Sequence, residues 1–272
     1  MARPEADASA LRRSLDEVAP GVFVTVARLW STTTTLVLDG TDALVVDPGV
    51  SVAEVDALAS TILDRGWRVT AGLATHPHWD HVLWSRALGD GPRWATAGCA
   101  DRAGQDGAEI RAKAQADAPG HELDLLGVLD ALPPDATSLP WPGAPRVVGH
   151  DAHAPGHAGI ATRGALLAGD MLSDAEVPLP DVSSPDPLGT YRDALDLLED
   201  VARDAHVLVP GHGSPAVGAE AIARRFAADR AYLDALERAV DDPAATVRDV
   251  RLRGYVATWH ADQLDALRDA RR

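Results

Sequence analysis

The segment Leu73 to Trp84, LATHPHWDHVLW, carries four metal-ligating side chains within six residues: His76, His78, Asp80 and His81. Imidazole and carboxylate together suit zinc, iron or manganese. An apolar run ends here and the chain turns. In an extended segment, residues two apart point to one side, so His76 and His78 can grip one ion, while the turn lets Asp80 and His81 face another way. The competing reading is a polar loop at a strand end whose histidines are unrelated.

Three later segments repeat the design of a short β-rich run ending in a loop with one such residue: HAPGHAG with His157, LLAGDML with Asp170, and LVPGHG with His212. Each is weak evidence alone, and the ordered series is strong. A carboxylate such as Asp170 can bridge two ions about 3.5 to 4 Å apart. The single cysteine, Cys99, excludes an internal disulfide and any site built on paired thiolates, so the ligands must be His and carboxylate. Cys99 itself reads as a small buried residue.

In this order, THPHWDH, APGH, AGD and PGHG resemble the motifs of the metallo-β-lactamase superfamily, over about residues 20 to 215. The resemblance implies an α/β (α+β four-layer) fold, the αββα sandwich, with metals at one edge between two sheets. It implies a first metal site of His76, His78 and His157, a second of Asp80, His81 and His212, and Asp170 bridging both. Two divalent metal ions follow as cofactors, zinc first, with iron or manganese as alternatives. Asp47, in ALVVDPG, corresponds to a residue that orients the metal loop by hydrogen bonds; an aspartate that merely starts a turn before Pro48 and Gly49 is the competing reading.

A water shared between two such ions has its pKa lowered from 15.7 toward ~7. This predicts a hydroxide that attacks a carbonyl or phosphoryl centre, with Asp80 as the catalytic residue that orients it and relays its proton. The expected enzyme is a metal-dependent hydrolase of ester, thioester or lactone-like bonds. Asp170 disfavours the lactamase branches, which lack it, and Ser173 stands where quorum-quenching lactonases carry tyrosine. The ligand set is similar to that of glyoxalase II thioesterases, which grip glutathione carboxylates with basic side chains. Two other readings stay open: a mononuclear iron oxygenase resembling persulfide dioxygenases, with iron held by two His and an Asp, and a non-catalytic metal-binding scaffold. The scaffold is disfavoured because no ligand position is degraded.

The elements that must position these residues follow from hydrophobic pattern. VFVTVARLW (22–30), TLVLDG (35–40), ALVVDPG (43–49) and VTAGLATH (69–76) read as strands. Between them, Val52, Val55, Leu58, Ala59, Ile62 and Leu63 recur at helical spacing after Ser51, an N-cap, with Gly66 as the stop. A helix over 81–88, a strand at 93–97 and a polar helical insertion over about 100–131 come next, then a Pro- and Gly-rich loop at 133–145 and a strand at 146–153. GIATRG and ALLAGD read as strands, 176–187 as a loop, 188–203 as a helix and HVLVPGHG as a strand; from about Ala216 only helices are expected. The organisation is therefore a metallo-β-lactamase-like domain at 1–215 and a C-terminal helical extension at 216–272 packed on it. Trp79 is read at the site mouth or a helix edge and Trp84 in the core. His153 is read as a neighbouring donor to the site, and His121, His150, His206 and His260 as structural or exposed. Leu123 to Trp141 is a candidate lid, and Trp259 with His260 the place where the tail touches the pocket.

Acidic residues outnumber basic ones 41 to 25, for a net charge of −16, and Lys113 is the one lysine. Such a chain repels phosphate backbones, which argues against nucleic acid and toward a small-molecule substrate that is uncharged or cationic. No run of 18 apolar residues occurs, so no membrane span is expected. The N-terminal MARPEADASALRRSLDEV has an arginine pair with no apolar stretch behind it, so neither a Sec nor a twin-arginine signal is expected. A soluble, cytoplasmic protein is the reading; oligomeric state is not legible.

Overall fold

The computed structural model describes residues 14–271, so the reading of residues 1–13 as free of an export signal lies outside the described residues. Seven strands form the first sheet in chain order: β1 (Asp16–Ala19), β2 (Val22–Val26), β3 (Thr33–Asp39), β4 (Asp42–Val46), β5 (Arg68–Leu73), β6 (Arg93–Ala95) and β7 (Asp130–Ala131). β1 to β4 are antiparallel, and β4 to β7 are parallel. The second sheet runs β12 (Ala216–Val217), β11 (Val207–Pro210), β10 (Ala165–Gly169), β9 (His157–Thr162), β8 (Arg146–His150), with β10 and β11 parallel.

The strands that ran as continuous apolar segments are buried on both faces, because helices cover what the partner sheet does not. Val22, Val37, Leu44 and Leu73 of the first sheet meet Val147, Ile160, Leu167 and Val209 of the second in one buried layer. Outside the first sheet, Val55, Leu58 and Ile62 of α1 (Val52–Asp64) pack on Leu36 and Val45. Leu63, placed on the same stripe by spacing, is 74% exposed. Outside the second sheet, α4 (Pro187–Ala202), α5 (Ala219–Asp241) and α6 (Tyr255–Ala270) bury Tyr191, Leu195, Phe226, Leu233 and Val256 against Leu166 and Leu208. The result is helix, sheet, sheet, helix. Among the described residues no helix is long and apolar enough to cross a membrane.

Several elements differ from the sequence reading. Residues 81–88 form no α-helix, only a 3-10 turn at Arg86–Leu88. His81, Val82, Leu83 and Trp84 are consecutive and all buried, which a helix with a single buried face cannot achieve. The polar insertion is α2 (Ala97–Gln105) and α3 (Gly107–Asp117), after which the chain is irregular up to β7. Leu126, Leu132, Leu139 and Trp141 are core residues, so 123–141 is not a lid. Three short strands, β1, β7 and β12, escape pattern analysis because two to four residues carry no period.

The C-terminal helices also reach the loop after β10. Buried Arg251 donates to Asp229 Oδ1 (2.6 Å) and to the Ser173 carbonyl (3.1 Å), while Asp229 Oδ2 accepts the Leu172 N–H (2.9 Å). Leu172 has φ +60°, a conformation that costs a branched residue energy and persists only where neighbours enforce it. Burial pushes the Asp229 carboxyl up to about 6, and the Arg251 charge opposes that rise. Removing one partner strands the other in a dry site. Arg251→Met should therefore destabilise the fold by about 3–5 kcal/mol in urea unfolding, with most of the loss recovered in Arg251→Met/Asp229→Leu. An unchanged midpoint in the single variant would show that the pair is not structural.

Candidate metal centre

Strand register assembles the site. β4 and β5 pair in parallel with Val46 opposite Leu73, and β10 and β11 with Gly169 opposite Pro210, so Asp47, the 74–81 loop, Asp170 and the loop bearing His212 leave from one edge. Carboxyl ends of parallel strands commonly form such sites. Backbone bonds tie the two sheets together there, Thr33 N–H to the Gly211 carbonyl (2.6 Å) and Ala158 N–H to Thr75 (2.8 Å), and Gly211 N–H to Gly169 (2.6 Å) joins the ends of β11 and β10. The glycines before the ligands have a steric reason. A Cβ on Gly211 would lie 2.1 Å from Asp170 Oδ1, and Gly169 sits at φ +54° with its missing Cβ aimed at His157.

Four imidazoles have their Nδ1 proton assigned by a fixed acceptor. His153 donates to the Leu179 carbonyl (2.8 Å), His212 to the Trp30 carbonyl (3.0 Å) and His81 to Asp47 Oδ2 (2.9 Å). Thr75 spends its hydroxyl proton on Asp47 Oδ2 (2.7 Å), so its oxygen accepts from His76 Nδ1 (3.0 Å). All four Nε2 atoms thereby face inward as the nitrogens that a proton or a cation must share, and they converge. His76 Nε2 and His153 Nε2 lie 3.1 and 3.0 Å from His78 Nδ1. His81 Nε2 lies 3.2 Å from His212 Nε2.

Two donor groups result, each with ligand atoms within 4.8 Å of one another, His76, His78, His153 with Asp170, and Asp80, His81 with His212; a third, Asp170, Glu176 and His212, overlaps them. Asp170 reaches both, with Oδ2 at 3.3 Å from Nε2 of His76 and 3.3 Å from Nε2 of His212. Its Oδ1 is buried without a hydrogen-bond partner, although His81 Nε2 lies 3.2 Å away. A dry, orphaned carboxylate oxygen among inward-facing lone pairs fits divalent cations.

His157 does not join the first group. Its Nε2 accepts the Asp170 backbone N–H (3.1 Å) and its Nδ1 meets His150 Nε2 (3.1 Å), so both nitrogens are engaged elsewhere. His153, read from sequence as a neighbour, holds the position expected of His157. The hydrogen-bonding role expected of Asp47 is present: it accepts from the Thr75 N–H (2.8 Å), the Thr75 hydroxyl and His81.

Burial and the charge of His81 pull His76 down to about 4. Burial opposes protonation of His212 as well, but the carboxylates of Asp170, Glu176 and Asp80 outweigh it and push His212 up to about 10. His81 is raised for the same reason, by Asp170, Asp80 and Asp47 against burial. Burial works against the charged carboxylates of Asp80 and Asp170, yet the surrounding imidazoles hold both below the usual range.

A cavity of about 390 Å³ opens over both groups, walled by Trp30, Trp79, Trp259 and Glu176 and by α3. Sequence reasoning placed Trp79 and Trp259 here and missed Trp30, Glu176 and α3. His260 faces away and meets the Tyr232 hydroxyl (2.7 Å). Glu176 lies six residues past Asp170, where the preceding strand signal ends, in a loop without period, where no motif marks it.

The profile of the Metallo-beta-lactamase superfamily matches residues 27–212, and the chain belongs to that superfamily. Among solved structures, a beta-lactamase domain protein from Burkholderia ambifaria is similar at TM-score 0.69 and 21% identity, over 97% of this chain and 89% of the other. A metallo-beta-lactamase family protein from Thermus thermophilus has TM-score 0.65 and 21% identity, over 93% and 92%. TTHA1623 in a di-iron-bound form has TM-score 0.57 and 23% identity, over 72% and 94%. At these identities the likeness is one of fold. No curated protein matches the sequence at a significant level.

His153 and His157 give a direct test. His153→Ala should lower metal content at the first group, whereas His157→Gln, whose amide oxygen can still accept the Asp170 N–H, should keep it; the reverse pattern refutes the placement. Asp47→Ala should weaken metal binding about 10- to 100-fold by chelator competition, since Asp47 orients His81 and the loop without being a ligand.

Proposed function

We propose that this chain is a metal-dependent hydrolase that holds two divalent ions and cleaves an ester, thioester or lactone-like bond of a small molecule. His76, His78 and His153 would hold the first ion, Asp80, His81 and His212 the second, and Asp170 both. The observation that carries the reading is the reach of Asp170 into both donor groups. Ions bound there supply Lewis acidity and lower the pKa of a coordinated water toward ~7.

The chain's own residues account for the rest. Asp80 Oδ2 lies 3.4 Å from His81 Nε2 and 3.5 Å from His212 Nε2 and lines the cavity, so it can orient the attacking water and hold its proton. The Trp30 and Leu179 carbonyls and Asp47 fix ring orientation before substrate arrives, so no reorganisation is needed during reaction. The tryptophans wall off water on the substrate side.

Metal content and chemistry decide between this and an oxygenase. Protein purified without added metal should carry close to two ions per chain and hydrolyse esters under anaerobic conditions, and Asp170→Ala should lose both properties. One iron per chain with oxygen uptake on a sulfur substrate would replace the hydrolase reading with the mononuclear oxygenase one.

Loading should also depend on pH in a site-specific way. His76 is neutral above about 4, so an ion entering the first group displaces no proton from it between pH 6 and 8. His212 is protonated below about 10, so an ion entering the second group must release that proton, and its affinity rises about tenfold per pH unit for each proton released. Calorimetry in buffers of different ionisation enthalpy should find greater proton release for the second ion; equal release for both would contradict the assignment.

A further inference from the structure

We infer that the substrate carries an apolar body and a positively charged distal group, an amine or quaternary ammonium, held in the cavity beside the metal centre. This rests on the hydrolase reading and names its substrate class.

Three of the chain's seven tryptophans line this one cavity. Trp30 is the hub, edge-to-face with Trp79 (ring centroids 5.6 Å apart) and Trp259 (5.7 Å). Tyr255 packs against Trp259 (4.8 Å) and Trp30 (6.2 Å). Tryptophan gives the strongest cation–π attraction of any side chain, and such rings accept apolar groups equally well.

The charges point the same way. Lys113 is the one lysine or arginine that lines the cavity among the described residues, and Glu109 pairs with it at 2.8 Å. Asp106, also on the wall, is neutralised by Arg102. One wall carboxylate beyond the metal groups has no cationic side chain as partner among the described residues: Asp117, which is exposed. Glu176, 5% exposed, is already engaged by the Tyr255 hydroxyl (3.1 Å) and by His212 (3.6 Å). An anionic distal group finds no free lysine or arginine on this wall and meets the unpaired carboxylate of Asp117. A cation finds that carboxylate and the indole rings.

The test uses metal-loaded protein and six-carbon acyl thioesters that differ only at the far end: trimethylammonium, methyl or carboxylate. The expected order of kcat/KM is cationic above neutral by about fivefold and neutral above anionic by about tenfold, narrowing as salt is added. Trp259→Ala should raise KM for the cationic member while leaving metal content unchanged. Glu109→Gln, which frees Lys113, should shrink the penalty on the anionic member. A cationic member no better than the neutral one, or an anionic member equal to either, overturns the inference and leaves the hydrolase reading standing. If no thioester is turned over, the amides of the same series, titrated by tryptophan fluorescence, decide the charge preference: the same order upholds it, and equal affinities overturn it.

Discussion

The structure is organised around an arrangement that is unfavourable by itself: imidazole lone pairs and two carboxylates turned inward in a space with little water. His76, His78 and His153 bring ring nitrogens to about 3 Å of one another, and His81 and His212 do the same on the other side of Asp170. Lone pairs so placed repel unless a proton or a cation lies between them. The chain enforces the convergence by committing each opposite ring nitrogen to a rigid acceptor, a backbone carbonyl for His153 and His212 and the Asp47–Thr75 pair for His81 and His76. Proton and cation therefore compete for the same nitrogens.

Holding that arrangement requires both sheets. β4 and β5 deliver Asp47 and the 76–81 loop from one, β10 and β11 deliver Asp170 and His212 from the other, and backbone bonds through Gly211 and Thr75 lock the edges together. The buried layer of valines and leucines between the sheets keeps these edges in register. The C-terminal helices support the same edge from outside, because Arg251 and Asp229 grip the turn at Leu172 and Ser173 just after Asp170. The tail also supplies Trp259 to the cavity. One helical extension thus serves both the rigidity of the metal loop and the shape of the substrate wall.

The cavity has a different character from the centre beneath it. Its wall is indole and carboxylate, with a single lysine already paired, in a chain whose net charge is −16. Such a wall offers a substrate aromatic contact and negative charge, not free basic side chains to grip an anion.

Local sequence determined much of this protein. Runs of Val, Leu and Ile set the strands, the THPHWDH, AGD and PGHG segments marked six of the residues that meet at the centre, and ALVVDPG marked Asp47. These features are short-range: a strand needs only its own pattern, and a dense group of ligands announces itself. Tertiary structure alone decided between His153 and His157, which lie four residues apart in one loop. Which ring faces the centre depends on where the turn between β8 and β9 falls, and on the Asp170 N–H that engages His157 from another strand. The same holds for 81–88, where burial of four successive side chains overrode helical pattern, and for Trp30, α3 and Glu176, which reach the cavity from distant parts of the chain. Contacts between segments remote in sequence leave no local period, so only the packed fold reveals them.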